Sequence, residues 1–190
     1  MAPDCKSGAF CTEEIMKALV TFFSHEGQNT VDFKVTEIRK GHTRIVAEKI
    51  AELTGADILR IIPKEEYPVD YDAVSARAKA EHDGNLRPEI VLPLETLDAY
   101  DTIFIGFPIW YRTYPRVIAT FVEKFDFTGK RILPFCTNEE GGFGMADLEL
   151  SAAIKAKGGK TELGLSVRGK NAENCDEQVK RWLVMNNVSK

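Results

Sequence analysis

Three short segments hold most of the residues in this chain that could do chemistry. The first is Ser24-His25-Glu26-Gly27-Gln28-Asn29-Thr30, which resumes at Gly41-His42-Thr43. Hydroxyls, a glycine and a helix opening at Thr43 make an anion cradle. Backbone N–H groups and the helix dipole can hold a phosphate without any Lys or Arg. Thr43 equally reads as a plain N-cap and Ser24 as a turn residue. The second segment is Pro108-Ile109-Trp110-Tyr111-Arg112-Thr113, where two large aromatics follow a proline. Trp110 can stack on a flat ligand, or serve as a half-buried anchor for a partner. The third is Cys136-Thr137-Asn138-Glu139-Glu140-Gly141-Gly142-Phe143-Gly144. Its glycines let backbone approach a ligand edge closely, or simply make a flexible turn. Together the segments suit a flat ring with a phosphorylated tail.

Other chemistries lack their motifs. There is no G-x-x-x-x-G-K-[ST] phosphate loop and no G-x-S-x-G nucleophile elbow. His25, His42 and His82 form no triad pattern, so no catalytic side chain is assigned. Cys5, Cys11, Cys136 and Cys175 show no C-x-x-C spacing, which argues against a zinc site. They read as reduced thiols of a cytoplasmic protein, with pairing of Cys5 and Cys11 left open. A formal charge of -4 with no Lys/Arg run carries no nucleic-acid footprint. No apolar run approaches the roughly 20 residues that span a bilayer. Residues 1–16, with Pro3 and acidic side chains, read as a loose leader rather than a targeting signal.

The elements that must position these segments alternate regularly. Thr102 to Phe107 is an uninterrupted apolar run, as expected of a strand buried on both faces of a parallel sheet. Further strands are predicted at Lys17–Phe23, Asp57–Ile62, Arg131–Cys136 and Thr161–Val167. Ser24 to Asn29 has the composition of a turn. Val46, Ile50 and Leu53 recur at helical spacing before Gly55. Asp70–Asp83 is Ala-rich but weakly patterned. Pro115 opens a helix with Val117, Ile118, Phe121, Val122 and Phe125 as its buried stripe. Asp147–Lys157 and Cys175–Val184 complete the set. Five strands, each followed by a helix, require right-handed crossovers and one three-layer α/β domain over residues 17–190. The segment Ser24 to His42 is far longer than an ordinary strand–helix connection, and Val31 to Arg39 alternates like a small hairpin arm. The three chemical segments then emerge at one carboxyl edge, where ligands of such sheets sit.

Ser24 with Gly41-His42-Thr43, Gly106-Phe107-Pro108-Ile109-Trp110-Tyr111, and Pro134-Phe135-Cys136-Thr137 with Gly142-Phe143-Gly144 resemble the FMN-binding loops of the flavodoxins. The likeness covers about Lys17 to Gly169. It implies a doubly wound five-stranded parallel sheet of order 2-1-3-4-5 and non-covalent FMN. By position, Ser24, Gly41, His42 and Thr43 would hold the phosphate, with His25 and Asn29 beside them. Pro108, Ile109, Trp110, Tyr111, Arg112 and Thr113 would pack along the ring and ribityl chain. Thr137, Asn138, Glu139, Gly142, Phe143 and Gly144 would border the ring on its other side. Two departures stand out: the arm that splits the phosphate loop, and Arg112 where many relatives carry a glycine. That glycine can turn its peptide toward reduced flavin. Arg112 would do so less easily, but its charge could stabilise an anionic reduced ring. The resemblance implies an electron carrier meeting redox partner proteins transiently, with Glu139 and Glu140 lowering its potential. A reductase passing hydride from NAD(P)H to a quinone is the alternative, and a flavin-free interaction module is a third.

Overall fold

The computed structural model describes residues 17–188. The leader read at 1–16, including Cys5 and Cys11, lies outside them. The apolar run Ala18–Phe22 forms β1. The chain then makes an antiparallel pair, β2 (Gly27–Val31) and β3 (Lys34–Ile38), before helix α1 (His42–Thr54). β4 (Asp57–Arg60), the short β5 (Ile62–Pro63), α2 (Tyr71–Asp83) and β6 (Ile90–Val91) follow. Then come β7 (Thr102–Pro108), α3 (Arg116–Lys124), β8 (Arg131–Asn138) and α4 (Ala146–Ala156). β9 (Lys160–Thr161), β10 (Leu165–Arg168), a short 3-10 segment (Gly169–Asn174) and α5 (Asp176–Met185) complete the chain.

The main sheet is parallel, in the order β4-β1-β7-β8-β10, with β9 also paired to β8. This is the expected 2-1-3-4-5 winding. Period-two alternation splits each central strand between two cores. Ile103, Ile105 and Phe107 of β7 pack with α3 and α4, whereas Phe104 packs with α1 and α5. β7 is buried along both faces, as its unbroken apolar run requires.

Three local expectations change. The residues expected to turn at Ser24–Asn29 do so only as far as Glu26, because Gly27, Gln28 and Asn29 already belong to β2. The arm therefore spans more than Val31–Arg39, and it reverses at Asp32 and Phe33, whose φ values of 51° and 63° are those of a tight hairpin turn. The last strand, expected as one piece over Thr161–Val167, breaks between β9 and β10. Gly164 lies there against the Phe143 ring, 2.6 Å from where a Cβ would sit. The second strand ends at Arg60, and Ile62–Pro63 peels away to pair antiparallel with β6. Among the described residues, no helix is long and apolar enough to cross a membrane.

Candidate functional site

The hairpin returns the chain to its starting point, so the split first segment closes on itself. Gly41, the residue before α1, lies so close to the end of β1 that a Cβ there would fall 2.1 Å from Ser24 Oγ. Ser24 Oγ in turn accepts from the Arg44 amide at 3.2 Å. Thr43 and Thr137 hydroxyls meet at 2.7 Å. Three hydroxyls from three elements thus converge at buried positions: Ser24 is 1% exposed, Thr43 2% and Thr137 5%. The N-cap residue Gly41 has no side chain to cap α1, Ser24 meets only the Arg44 amide, and the first turn carries no acidic residue. Ile45 donates to Gly41 O, which leaves the His42 and Thr43 amides without a protein acceptor among the described residues.

His25 is fixed by both ring nitrogens. Nε2 lies 2.8 Å from Pro68 O, and Nδ1 lies 3.3 Å from Asn29 Nδ2. Among the described residues the His42 ring has no such partner. It rests against Gly169, where a Cβ would come within 2.4 Å of Nδ1. Burial holds the His42 pKa below the ordinary histidine value, opposed by the negative charges of Glu139 and Glu173.

At the opposite end, β7 stops at Pro108 and Ile109 donates to Thr137 O at 2.9 Å. Trp110 and Thr113 then exchange two backbone hydrogen bonds across Tyr111 and Arg112, which hold φ values of 49° and 66°. Trp110 is half-buried and packs edge-on against Phe23, Tyr67 and His25, with ring centres 5.1–5.9 Å apart. Such geometry fixes the indole plane. Tyr111 donates its hydroxyl to Ser75 O of α2 at 2.7 Å. Behind them Tyr67 donates to the buried Glu81 carboxylate, which Arg77 also holds at 2.8 Å. Burial, reinforced by Glu81, raises the Tyr67 pKa far above the usual phenol value.

The third segment closes the cavity from beyond β8. Asn138 is buried and donates to Ser166 Oγ at 2.9 Å. Glu139 Oε2 accepts from the Phe33 amide at the hairpin tip at 2.9 Å, and Lys170 pairs with Asp32 of the same tip at 2.6 Å. The arm is thereby fastened across the mouth. Arg168 donates to Glu139 O and pairs with Glu140 at 3.1 Å.

The result is a cavity of about 370 Å³, walled at one end by His42 and Thr43 and at the other by Trp110 and Tyr111. Of the expected residues, Ser24, His25, Asn29, His42, Thr43, Pro108, Ile109, Trp110, Tyr111, Thr137, Asn138 and Glu139 line it. Six do not. Gly41 buttresses the cradle from behind. Arg112 is exposed, and its carbonyl accepts from Met145 N at 2.6 Å. Thr113 is buried and donates to Glu149 at 2.6 Å. Gly142 lies toward Ser166, Phe143 packs edge-on against Phe107, and Gly144 abuts the Arg112 carbonyl. Gln28 and Thr30 of the arm, Tyr71, Val74, Ser75 and Ala78 of α2, Glu140, and Gly169 complete the wall. The weak apolar pattern of α2 gave no sign of this role; the Asp70 side chain that caps it, bonded to the Ala73 amide, was its clearest signal. Among the described residues no His/Cys/Asp/Glu cluster could hold a metal.

The winding order reverses between β1 and β7, and the cavity opens beyond their carboxyl ends. That is the ligand position of a doubly wound α/β protein. The flavodoxin family profile matches residues 34–186, and the chain belongs to the flavodoxin family. A Bacteroides uniformis protein assigned as a flavoprotein has 31% identity, covering 89% of this chain and 98% of its own, with a TM-score of 0.70. A second such protein, from Bacteroides eggerthii, has 27% identity over 91% and 99% of the two chains, with a TM-score of 0.71. A Lactobacillus acidophilus flavoprotein solved in complex with FMN shares the fold at 21% identity, covering 88% and 98%, with a TM-score of 0.63. No curated protein sequence matches this chain.

Proposed function

We propose that this protein holds FMN non-covalently and passes electrons between transient redox partners. One observation supports this above the others. A single cavity runs from the N-terminus of a 13-residue helix, with its His42 and Thr43 amides unpartnered among the described residues, to a fixed indole, which matches a phosphorylated flat ring at both ends. The donor set suits the group: two free amides, the helix dipole and buried hydroxyls for a phosphate, with no acidic side chain in the first helical turn. Bound FMN would supply the redox chemistry itself, as cofactors of this kind do.

The chain's own residues would bind, orient and shield. His42 and Thr43 amides, with Ser24 and Thr43 hydroxyls, would anchor the phosphate. Trp110 would set the plane of the ring, and Tyr111, pinned to α2, would limit its slide. Thr137, Asn138 and Glu139 would border the opposite edge. The arm, fastened at Asp32 and Phe33, would shield the bound group from water. Arg168 pairs with Glu140, so Glu139 would carry more of any potential-lowering effect than Glu140.

A second reading, a two-electron reductase using NAD(P)H and a quinone, gains from the locked turn at Trp110–Thr113. The Arg112 carbonyl is already held by Met145 N, so that peptide is not free to turn toward a reduced ring. The test is an anaerobic reductive titration of the yellow protein, with NAD(P)H consumption measured beside it. A carrier reduces in two optical phases and leaves NAD(P)H untouched. A single phase with rapid quinone-dependent NAD(P)H oxidation assigns the reductase. A colourless protein that ignores added FMN refutes both.

A further inference from the structure

The charge balance of the cavity leaves one gap. Its wall contains Glu139 and Glu140 but no Lys or Arg. Exposed Arg39 and Lys40, the latter paired with Glu48, precede α1 but stand outside the wall, and other cations nearby are committed. Arg44 pairs with Glu48 and Glu26, Arg60 with Glu26, Lys170 with Asp32, and Arg168 with Glu140. Of the two histidines on the wall, His25 has both nitrogens occupied. His42 alone combines a place on the first turn of α1, a position on the wall and an unpartnered ring, and Gly169 makes room for that ring.

We infer that His42 supplies the positive charge for the ligand's phosphate, so that FMN is held most tightly when the His42 ring is protonated. This rests on the FMN reading of the cavity. A phosphate monoester carries close to two negative charges at neutral pH. The helix terminus offers about half a positive charge against it. Protonated His42 adds a full charge and a directed N–H donor. Glu139 from beyond β8 and Glu173 from the 3-10 segment also act on this ring, and both favour its charged form. Burial keeps the free ring mostly neutral at pH 7, and a phosphate beside it reverses that preference. The sign follows: the pKa is higher in the complex than in the free protein. The added affinity is full at low pH and is lost as pH rises through the value in the complex.

The test compares FMN with riboflavin, which lacks the phosphate, by fluorescence titration of wild type and His42→Asn at about pH 6 and pH 8.5. Ionisation of the phosphate itself affects both proteins alike, so the wild-type-to-variant affinity ratio isolates the ring. For FMN this ratio is expected to be several-fold at the lower pH, because the full effect of a pKa rise of about one unit on binding, roughly tenfold, is reached only well below the free ring's own value. It should approach unity at the higher pH, while the riboflavin ratio stays flat. Calorimetry of wild type at about pH 7.5, in buffers of different ionisation enthalpy, should show net proton uptake with FMN and none with riboflavin; this needs no variant to fold. An FMN ratio equal at both pH values, or no proton uptake, overturns the inference and leaves FMN binding intact. Binding of neither flavin overturns the FMN reading and this inference with it.

Discussion

Replacing Gly41 by Ala tests how the phosphate cradle is built. Gly41 has φ -64° and ψ 141°, a conformation open to any residue, so the substitution brings no backbone strain. Its whole cost is space. A Cβ would sit 2.1 Å from Ser24 Oγ and 2.4 Å from His25 O. The Ser24 hydroxyl can rotate away, but it then releases the Arg44 amide, at about 1 kcal/mol. The His25 oxygen is backbone and must retreat by nearly 1 Å, an overpacking strain of about 1–3 kcal/mol. Urea denaturation should therefore show a loss of about 2–4 kcal/mol. Because that retreat moves Ser24, His25 and the start of α1 together, FMN affinity should fall by at least about tenfold, or about 1.4 kcal/mol. Gly55→Ala is the control. Gly55 has φ 71° with nothing within 4 Å of a Cβ, so it costs about 1 kcal/mol through conformation alone and leaves FMN affinity unchanged. A Gly41→Ala protein as stable and as tight for FMN as wild type would refute the cradle geometry.

Trp110→Ala should weaken FMN by about 1–3 kcal/mol in a fluorescence titration, whereas Trp110→Phe should retain most of the affinity, since a flat ring still faces the cavity. Equal affinity for all three proteins would remove Trp110 from the ring site. Burial pushes the Cys136 thiol pKa up to about 12. Native protein at pH 8 should therefore leave Cys136 unlabelled by an alkylating reagent, as located by mass spectrometry, until denaturant opens the core. The same shift contributes to the alkaline stability profile, beside the raised pKa values of Cys175, Tyr67 and Tyr114. Unfolded chains lose the thiol proton from the ordinary cysteine range upward, so stability should decline from there toward pH 12, and Cys136→Ala should flatten the decline.

The three-layer parallel sheet was legible because apolar runs such as Thr102–Phe107 can be satisfied only between two helical layers, whereas the strand order came from the resemblance to the flavodoxins. The two ends of the cavity were legible for a related reason. Hydroxyls before an apolar helix, and aromatics after a buried strand, leave few places to go. The remainder depended on contacts distant in sequence. α2 forms a cavity wall through Tyr71, Val74, Ser75 and Ala78, a pattern too mixed to mark a face. Phe143 sits in a Gly-rich stretch that reads the same whether its ring faces a ligand or the core. Positive φ at Gly141, Gly142 and Gly144 coils that stretch and sends the ring toward Phe107, where it also interrupts the last strand at Gly164. The arm's polar strand Gly27–Val31 lacks the apolar alternation of a half-buried strand. The partners of the arm's tip, Glu139 for Phe33 and Lys170 for Asp32, lie more than a hundred residues away.

The central claim is that one cavity grips FMN at both ends. Amide-resolved NMR titration measures this directly. FMN should shift the His42 and Thr43 backbone amides and the Trp110 indole N–H along saturation curves with one common Kd. Shifts confined to one end, separate affinities for the two ends, or no response at either would contradict it.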